Sequence, residues 1–387
     1  MGRCAVVSSE KLHFLDQDKA PPFISPQLAV LIAGIGDLTL ASPALRALKQ
    51  GHPDAPLHLL TSREAAELAR NYPYIDRIWE FPVRQLRQKK TTLFAIMRLL
   101  ADLRRVRFDR AVNLYHVDSR AGALKMGAVF QFINAGEKIG HGRCGFGSFL
   151  DHETPEDFFA NRHLTEAMTE MAVLAGGRAD KKGLDLFWGK VSEQRCQNLF
   201  NEALKILSRS PDGQEGHPLF VGINPGGDRA NRRWAPERYA AVGNRVAAKL
   251  PARIFIFGGP GEEAIAQSIE GQMTVQCVNL AGKLSISDLA YAISRLDLLI
   301  TNDSGPMHMA AAARTPVVAI FGPEDPVLMG PYAGPDLYRV IHKPLPCRPC
   351  QRDRCARPLC LEAISPDEVF AAAMELLEKN LVATRSQ

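Results

Sequence analysis

Residues 296–322 read LDLLITNDSGPMHMAAAARTPVVAIFG. Two short apolar runs enclose a small-residue stretch that opens with Asn302, Asp303, Ser304 and Gly305. The runs carry little polar alternation, as strands do when both faces of a parallel sheet are covered. The alanines at 310–313 give a helix that can press closely on such a sheet. Strand, helix, strand is the crossover unit of a doubly wound α/β domain.

Reading toward the N-terminus, the same alternation recurs in LFVGINPGG (219–227), a helix from Pro236 to Leu250, ARIFIFGG (252–259), a helix from Glu262, VQCVNLAG (275–282) and a helix from Ser285 to Leu296. Ser285 followed by Asp288 is close to a capping box, and Pro236 suits a first helical turn. A first set precedes it: QLAVLIAG (27–34), PLHLLTS (56–62), DRIWEFPV (76–83) and DRAVNLYHV (109–117) read as strands. Helices fall between them around Ala44, Glu64, Leu93 to Arg105 and Arg120 to Phe130. Residues 137–185 resist assignment, although NRHLTEAMTEMAVLA (161–175) has helical spacing. The polar break SRSPDGQEGHP (208–218) reads as an interdomain linker.

The expected architecture is therefore α/β, with two doubly wound parallel sheets. Its expected divisions are an N-terminal extension (1–26), a first domain (27–207), the linker (208–218), a second domain (219–345), and a cysteine-rich segment with a C-terminal helix (346–387). That last helix, PDEVFAAAMELLEKNL, can pack on either domain. No internal repeat appears at periods of about 20 to 50 residues.

A chain of 387 residues has room for two or three domains, and its 46% hydrophobic and 23% charged content excludes a disordered tail or a coiled coil. The net charge of +5 is too small to argue nucleic-acid binding without a clustered basic face. The N-terminus lacks an unbroken signal-peptide core, and no run of about 18 apolar residues occurs. A cytoplasmic, non-spanning protein is expected.

In open α/β sheets, ligands bind beyond the carboxyl ends of strands. Three such ends carry unusual chemistry. In AGIGDLTLASPAL (33–45), Gly34 and Gly36 imitate a dinucleotide fingerprint, but Thr39 stands at the third glycine position and Asp54 precedes the second strand, which weakens a dehydrogenase reading. Asp37 in this turn is either a helix cap or a general base able to take a proton from an acceptor hydroxyl. In INPGGDRANRRWAPERY (223–239), a strand ends at Asn224 and Gly226 and Gly227 let the backbone approach a ligand. Arg229, Arg232 and Arg233 beside a helix start suit a diphosphate, or are merely solvated. In the third loop, Asp303 can accept from sugar hydroxyls, while Ser304 and the Gly305 N–H can donate to phosphate. His308 lies one helical turn on. Taken singly, Asp303 reads as an N-cap and His308 as a packing residue.

At these three segments the chain resembles glycosyltransferase family 9, which contains the bacterial lipopolysaccharide heptosyltransferases. NDSGPMHMAAA followed by PVVAIFGP is the most specific signature, NPGG with RRWAPERY the next, and GDLTLASPALRAL supports them. The resemblance covers most of residues 27–380. It implies a GT-B fold, with two Rossmann-like domains facing an interdomain cleft, an N-terminal acceptor-binding domain and a C-terminal nucleotide-sugar-binding domain.

It also implies inverting transfer without a catalytic metal, from ADP-heptose to a lipopolysaccharide core or similar glycan. The family's base falls on Asp37, and its donor-side acid, hydroxyl, glycine and histidine fall on Asp303, Ser304, Gly305 and His308. Arg232 or Arg233 replaces a phosphate-facing lysine, Ala235 is inserted between Trp234 and Pro236, and Leu31, Ile32 and Ala33 stand where a basic residue is frequent. Arginines and helix N-termini would then stabilise the leaving diphosphate. The competing readings are a GT-B transferase or epimerase using a UDP-sugar, and a nucleotide-sugar-binding protein without turnover.

CRPCQRDRCARPLC (347–360) places Cys347, Cys350, Cys355 and Cys360 at short spacing. This reads either as a structural zinc or iron–sulfur site, or as free or disulfide-bonded thiols; no cofactor is expected for catalysis. Cys4, Cys144, Cys196 and Cys277 are scattered. Arg348, Arg352, Arg354 and Arg357 read as solvated charge, or as a surface to meet an acidic acceptor. Arg84, Arg87, Lys89, Lys90, Arg98, Arg104, Arg105, Arg107 and Arg110 outnumber Asp102 and Asp109 across 84–110. That excess is a solvated face, or suits a phosphorylated glycolipid or an anionic inner-membrane surface.

Overall fold

The computed structural model describes residues 25–87, 93–115, 117, 119–142, 145–207, 218–227, 229–350 and 355–385. Nearly all of the expected N-terminal extension and linker, with Cys4, Lys89, Lys90, Cys144, Arg352 and Arg354, lie outside the described residues. The chain divides into two compact units, with the boundary between Lys182 and Gly183.

The first unit runs β1 (Gln27–Leu31), α1 (Ile35–Leu40), α2 (Ser42–Gly51), β2 (Leu57–Ser62), α3 (Arg63–Ala69), β3 (Arg77–Phe81), α4 (Val83–Arg87), α5 (Leu93–Arg104), β4 (Arg107–Asn113), α6 (Arg120–Phe130), β5 (Asn134–Gly140), β6 (His152–Glu153) and α7 (Leu164–Leu174). Its sheet has the order β3-β2-β1-β4-β5-β6, and every pairing is parallel. β1 is buried throughout, as its unbroken apolar run requires. Leu28 and Val30 of β1 pack beneath Ile96, Leu100 and Leu103 of α5 and Val129 and Phe130 of α6. These α5 residues follow the spacing of one helix face. α2 meets the end of α7 where a Cβ on Gly51 would lie 2.1 Å from the Gly176 carbonyl oxygen, so only glycine fits.

The second unit runs α8 (Lys190–Leu207), β7 (Leu219–Asn224), α9 (Pro236–Lys249), β8 (Ala252–Ile256), α10 (Glu263–Glu270), β9 (Cys277–Asn279), α11 (Ile286–Ser294), β10 (Leu298–Asn302), α12 (Gly305–Ala313), β11 (Val317–Phe321), α13 (Pro326–Met329), β12 (Tyr338–His342), α14 (Leu359–Glu362) and α15 (Pro366–Arg385). A second parallel sheet has the order β12-β11-β10-β7-β8-β9. The capping box at the start of α11 is present, with Asp288 N–H on Ser285 Oγ at 3.1 Å and Ser285 N–H on Asp288 Oδ2 at 3.0 Å.

Residues 183–207, grouped with the first domain in the sequence reading, pack within this unit instead. Cys196 Sγ donates to the Asp288 carbonyl at 3.3 Å, Arg195 pairs with Asp288 at 3.0 Å, and the Phe200 and Phe255 rings stand 4.7 Å apart. α15 also belongs here: Val369, Ala373, Leu376 and Leu377 join Val318 and Ile320 in one core.

Candidate functional site

The loops after β7 and β10 meet at one side chain. Asn302 ends β10 with no exposure, so each polar atom of its amide needs a partner inside the protein. Its Oδ1 accepts from the Trp234 N–H at 2.9 Å and the Tyr239 hydroxyl at 2.8 Å. Its Nδ2 donates to the carbonyls of Pro225 at 2.7 Å and Gly226 at 3.1 Å. The glycine loop and the arginine loop are thereby tied to the same strand end. Burial pushes the Tyr239 hydroxyl well above its ordinary pKa, which keeps it a donor. Trp234 is buried against Tyr239 with ring centroids 5.1 Å apart, and its indole N–H donates to the Ile364 carbonyl at 3.2 Å.

Glu262 shapes the glycine loop from the other side. Its two carboxylate oxygens accept from the Gly227 N–H at 2.8 Å and the Gly259 N–H at 2.7 Å. A Cβ on Gly226 would lie 2.1 Å from Glu262 Oε2, and Gly227 has φ +152°. A side chain at Gly226 would push the Glu262 carboxylate off the loop, and the backbone at Gly227 requires glycine. Arg233 closes the loop, donating from Nε and Nη2 to the Gly227 carbonyl at 2.8 and 2.5 Å.

Arg229 and Arg232 converge elsewhere. Both guanidinium groups reach Glu324 Oε1, Arg229 at 3.3 Å and Arg232 more closely. Arg232 also lies 3.3 Å from Asp303 Oδ2, a carboxylate only 2% exposed. Ser304 precedes α12, and its hydroxyl turns back onto Thr301 Oγ1 and the Asn302 carbonyl, each at 3.2 Å. Asn224 Nδ2 reaches the same Thr301 hydroxyl at 3.3 Å. Gly305 opens α12, whose first turn carries the buried His308.

Of the residues expected from sequence, Arg229, Arg232 and Asp303 thus form one charged cluster, and Gly226, Gly227 and Arg233 form an adjoining clamp. Asn224 and Ser304 meet through Thr301. Asn302, Glu262 and Glu324 escaped the sequence reading as site residues. Their signal was positional, because each stands at or just beyond the carboxyl end of a strand.

In the first unit, Gly34 N–H donates to Asp37 Oδ2 at 3.0 Å, so Asp37 does cap the short helix α1. It stays partly exposed at the turn after β1. At the neighbouring strand ends, Thr61 and Asn113 are fully buried. Among the described residues, neither the Thr61 hydroxyl nor either Asn113 amide atom has a hydrogen-bond partner.

The four clustered cysteines are free thiols; Cys360 is buried, Cys350 half-buried, and Cys347 and Cys355 exposed. Among the described residues, no three His, Cys, Asp or Glu side chains are grouped to hold a metal ion. Burial pushes the Cys360 thiol pKa up, against the nearby Arg348 cation. The segment is strapped to the loop after β11. Cys350 N–H donates to the Pro323 carbonyl at 2.9 Å, and Arg348 donates to the carbonyls of Glu324 and Lys343, each at 2.6 Å. Arg348 is thereby engaged with backbone.

Comparison with known proteins gives a consistent answer. A profile described as glycosyltransferase family 9 (heptosyltransferase) matches residues 96–360. Lipooligosaccharide heptosyltransferase 2 of Campylobacter jejuni is 32% identical over 170 residues, which span 42% of this chain and 52% of that protein. Lipopolysaccharide heptosyltransferase 3 of Escherichia coli is 24% identical over 90% of this chain and 98% of its own length. The solved structure of E. coli ADP-heptose lipopolysaccharide heptosyltransferase II superposes with a TM-score of 0.66 at 20% identity, covering 92% of this chain and 99% of that one.

Proposed function

Because the chain belongs to glycosyltransferase family 9, the heptosyltransferases, we propose that it moves a heptose-type sugar from ADP-heptose to a lipopolysaccharide core or similar glycan, with inversion. The observation that carries the donor half is the convergence of Arg229 and Arg232 on one carboxylate beside Asp303 and the start of α12. Two planar guanidinium forks and a helix N-terminus are the chemistry that recognises a diphosphate. Asp303, beside them, accepts from donor hydroxyls in this reading.

In this reading the second unit holds the donor and the first unit holds the acceptor. Asp37 takes the proton of the acceptor hydroxyl as its oxygen forms the new bond to the anomeric carbon. The bond from that carbon to the diphosphate oxygen breaks, and its electron pair leaves with the nucleotide. Arg229, Arg232 and the α12 N–H groups stabilise the developing charge. The cap bond from Gly34 orients the Asp37 carboxylate. No step in this reading runs through the four cysteines.

The test is transfer from ADP-heptose with Asp37→Asn as the probe. General-base loss should lower kcat by about 10²- to 10⁴-fold, with ADP affinity unchanged and turnover insensitive to EDTA. Thermal stabilisation by UDP-sugars but not ADP-sugars would reassign the donor. Loss of ADP binding together with turnover in Asp37→Asn would remove the base assignment.

A further inference from the structure

We propose that the outer face of α5 is a docking surface for a bilayer containing anionic lipid, which it enters by its amino-terminal turn. α5 has two sides. Ile96, Leu100 and Leu103 are buried on the sheet, while positions 93, 94, 97, 98, 101, 104 and 105 share one exposed arc. The first turn of that arc is apolar without being covered: Leu93 and Phe94 are each 75% exposed and Met97 43%. Leu86 of α4, just before it, is 48% exposed. Scattered exposed leucines are ordinary, but adjoining Leu and Phe at this exposure form a patch.

Charge complementarity selects the occupant. Continuing along the arc, Arg98 and Arg104 are exposed. Arg105 is balanced by Asp102 at 2.6 Å, so the net excess rests on the other two. An apolar tip followed by arginines on one helical face matches the boundary between acyl chains and anionic headgroups. No helix among the described residues is long and apolar enough to cross a membrane, so the contact lies in the interface plane.

Position ties this face to chemistry. α5 ends at Arg104, just before β4 begins at Arg107, so its carboxyl end lies at the amino ends of the strands and its amino end points toward their carboxyl ends, where the Gly34–Asp37 turn lies. A glycolipid acceptor held in the bilayer would meet that edge. The inference deepens the acceptor half of the reading above, but it is measured without turnover, so either can fail alone.

The experiment is sedimentation of the full chain with vesicles of phosphatidylcholine alone and of phosphatidylcholine with phosphatidylglycerol. The native chain should sediment only with the anionic vesicles. Leu93→Ser with Phe94→Ser should lower partitioning at least about tenfold, from the apolar area withdrawn. Arg98→Gln or Arg104→Gln should each lower it about fivefold, the equivalent of one surface charge. Phe94→Trp, an exposed change that does not disturb the core, should show indole emission that shifts to the blue on vesicle binding and is quenched by brominated lipid. Unchanged sedimentation of the serine variant, or unshifted and unquenched emission from the Phe94→Trp variant, would overturn the proposal. Self-association of the native chain that the serine variant abolishes, without vesicle binding, would overturn it in favour of a second copy.

Discussion

Arg229, Arg232 and Arg233 look alike in the sequence and differ in the structure. Arg233 is spent on the Gly227 carbonyl, whereas Arg229 and Arg232 share one oxygen of Glu324. The proposed reading puts a phosphate where these two guanidinium groups now hold a carboxylate, so the pair Arg229→Ala with Arg232→Ala is the sharper probe of diphosphate binding. Hydrogen bonds to charged groups contribute about 1.5–3 kcal/mol each. The double variant should therefore bind ADP at least about 100-fold more weakly, with adenosine binding nearly unchanged, as read by calorimetry. Equal losses for the two ligands would remove the phosphate role. Arg233→Ala should act differently, lowering the melting temperature by loosening the Gly227 loop while costing adenosine and ADP about equally.

At the scale of elements, the loops are held by Asn302, and this was the part least legible beforehand. NDSG and NPGG declared strand ends from their residue types, but which atom of Asn302 would meet which loop depends on β10 lying beside β7 and on Trp234 and Tyr239 folding over it. The repeated apolar runs made both sheets readable. β5, with the sequence NAGEKIG, and the half-exposed β12 carry too little apolar signal to announce themselves. The polar break at 208–218 misled the boundary because α8 shows its apolar stripe only against the second unit, through Cys196 on α11 and Phe200 on β7 and β8. Asn302→Ala would strip partners from two donors and two acceptors at one buried point. Each buried polar group left unpaired costs about 1–3 kcal/mol. A loss of at least about 3 kcal/mol in urea unfolding is expected, together with weaker ADP binding. A loss below about 1 kcal/mol would mean that water replaces the amide without strain.

Among the described residues, the first unit gathers a core on β1 and β2 and the second unit gathers one on β7, β10 and β11. A single two-state transition is therefore not expected, and the two units should answer to different perturbations. In the first unit, His58 is buried on β2, accepts from the Trp79 indole N–H at 3.4 Å and packs its ring edge-on to Phe108. Burial, aided by the Arg77 cation, lowers its pKa from 6.5 to about 4. A histidine lowered in this way binds its proton more readily when unfolded. It contributes stability that is complete above pH 6.5 and is lost as pH falls toward 4. A shift of that size corresponds to about 3 kcal/mol. His52, lowered chiefly by burial, acts in the same direction. In the second unit, ADP at about 100 times its Kd should add about 2.7 kcal/mol by linkage. Calorimetric scans should then resolve two transitions: acidification from pH 6.5 to 4 lowers one, and ADP raises the other. His58→Gln, which keeps an acceptor for Trp79, should flatten the pH dependence of the first transition and leave the ADP shift of the second intact. One transition that moves with both pH and ADP, and whose acid sensitivity persists in His58→Gln, would show the units unfolding as one body and place the titrating group elsewhere.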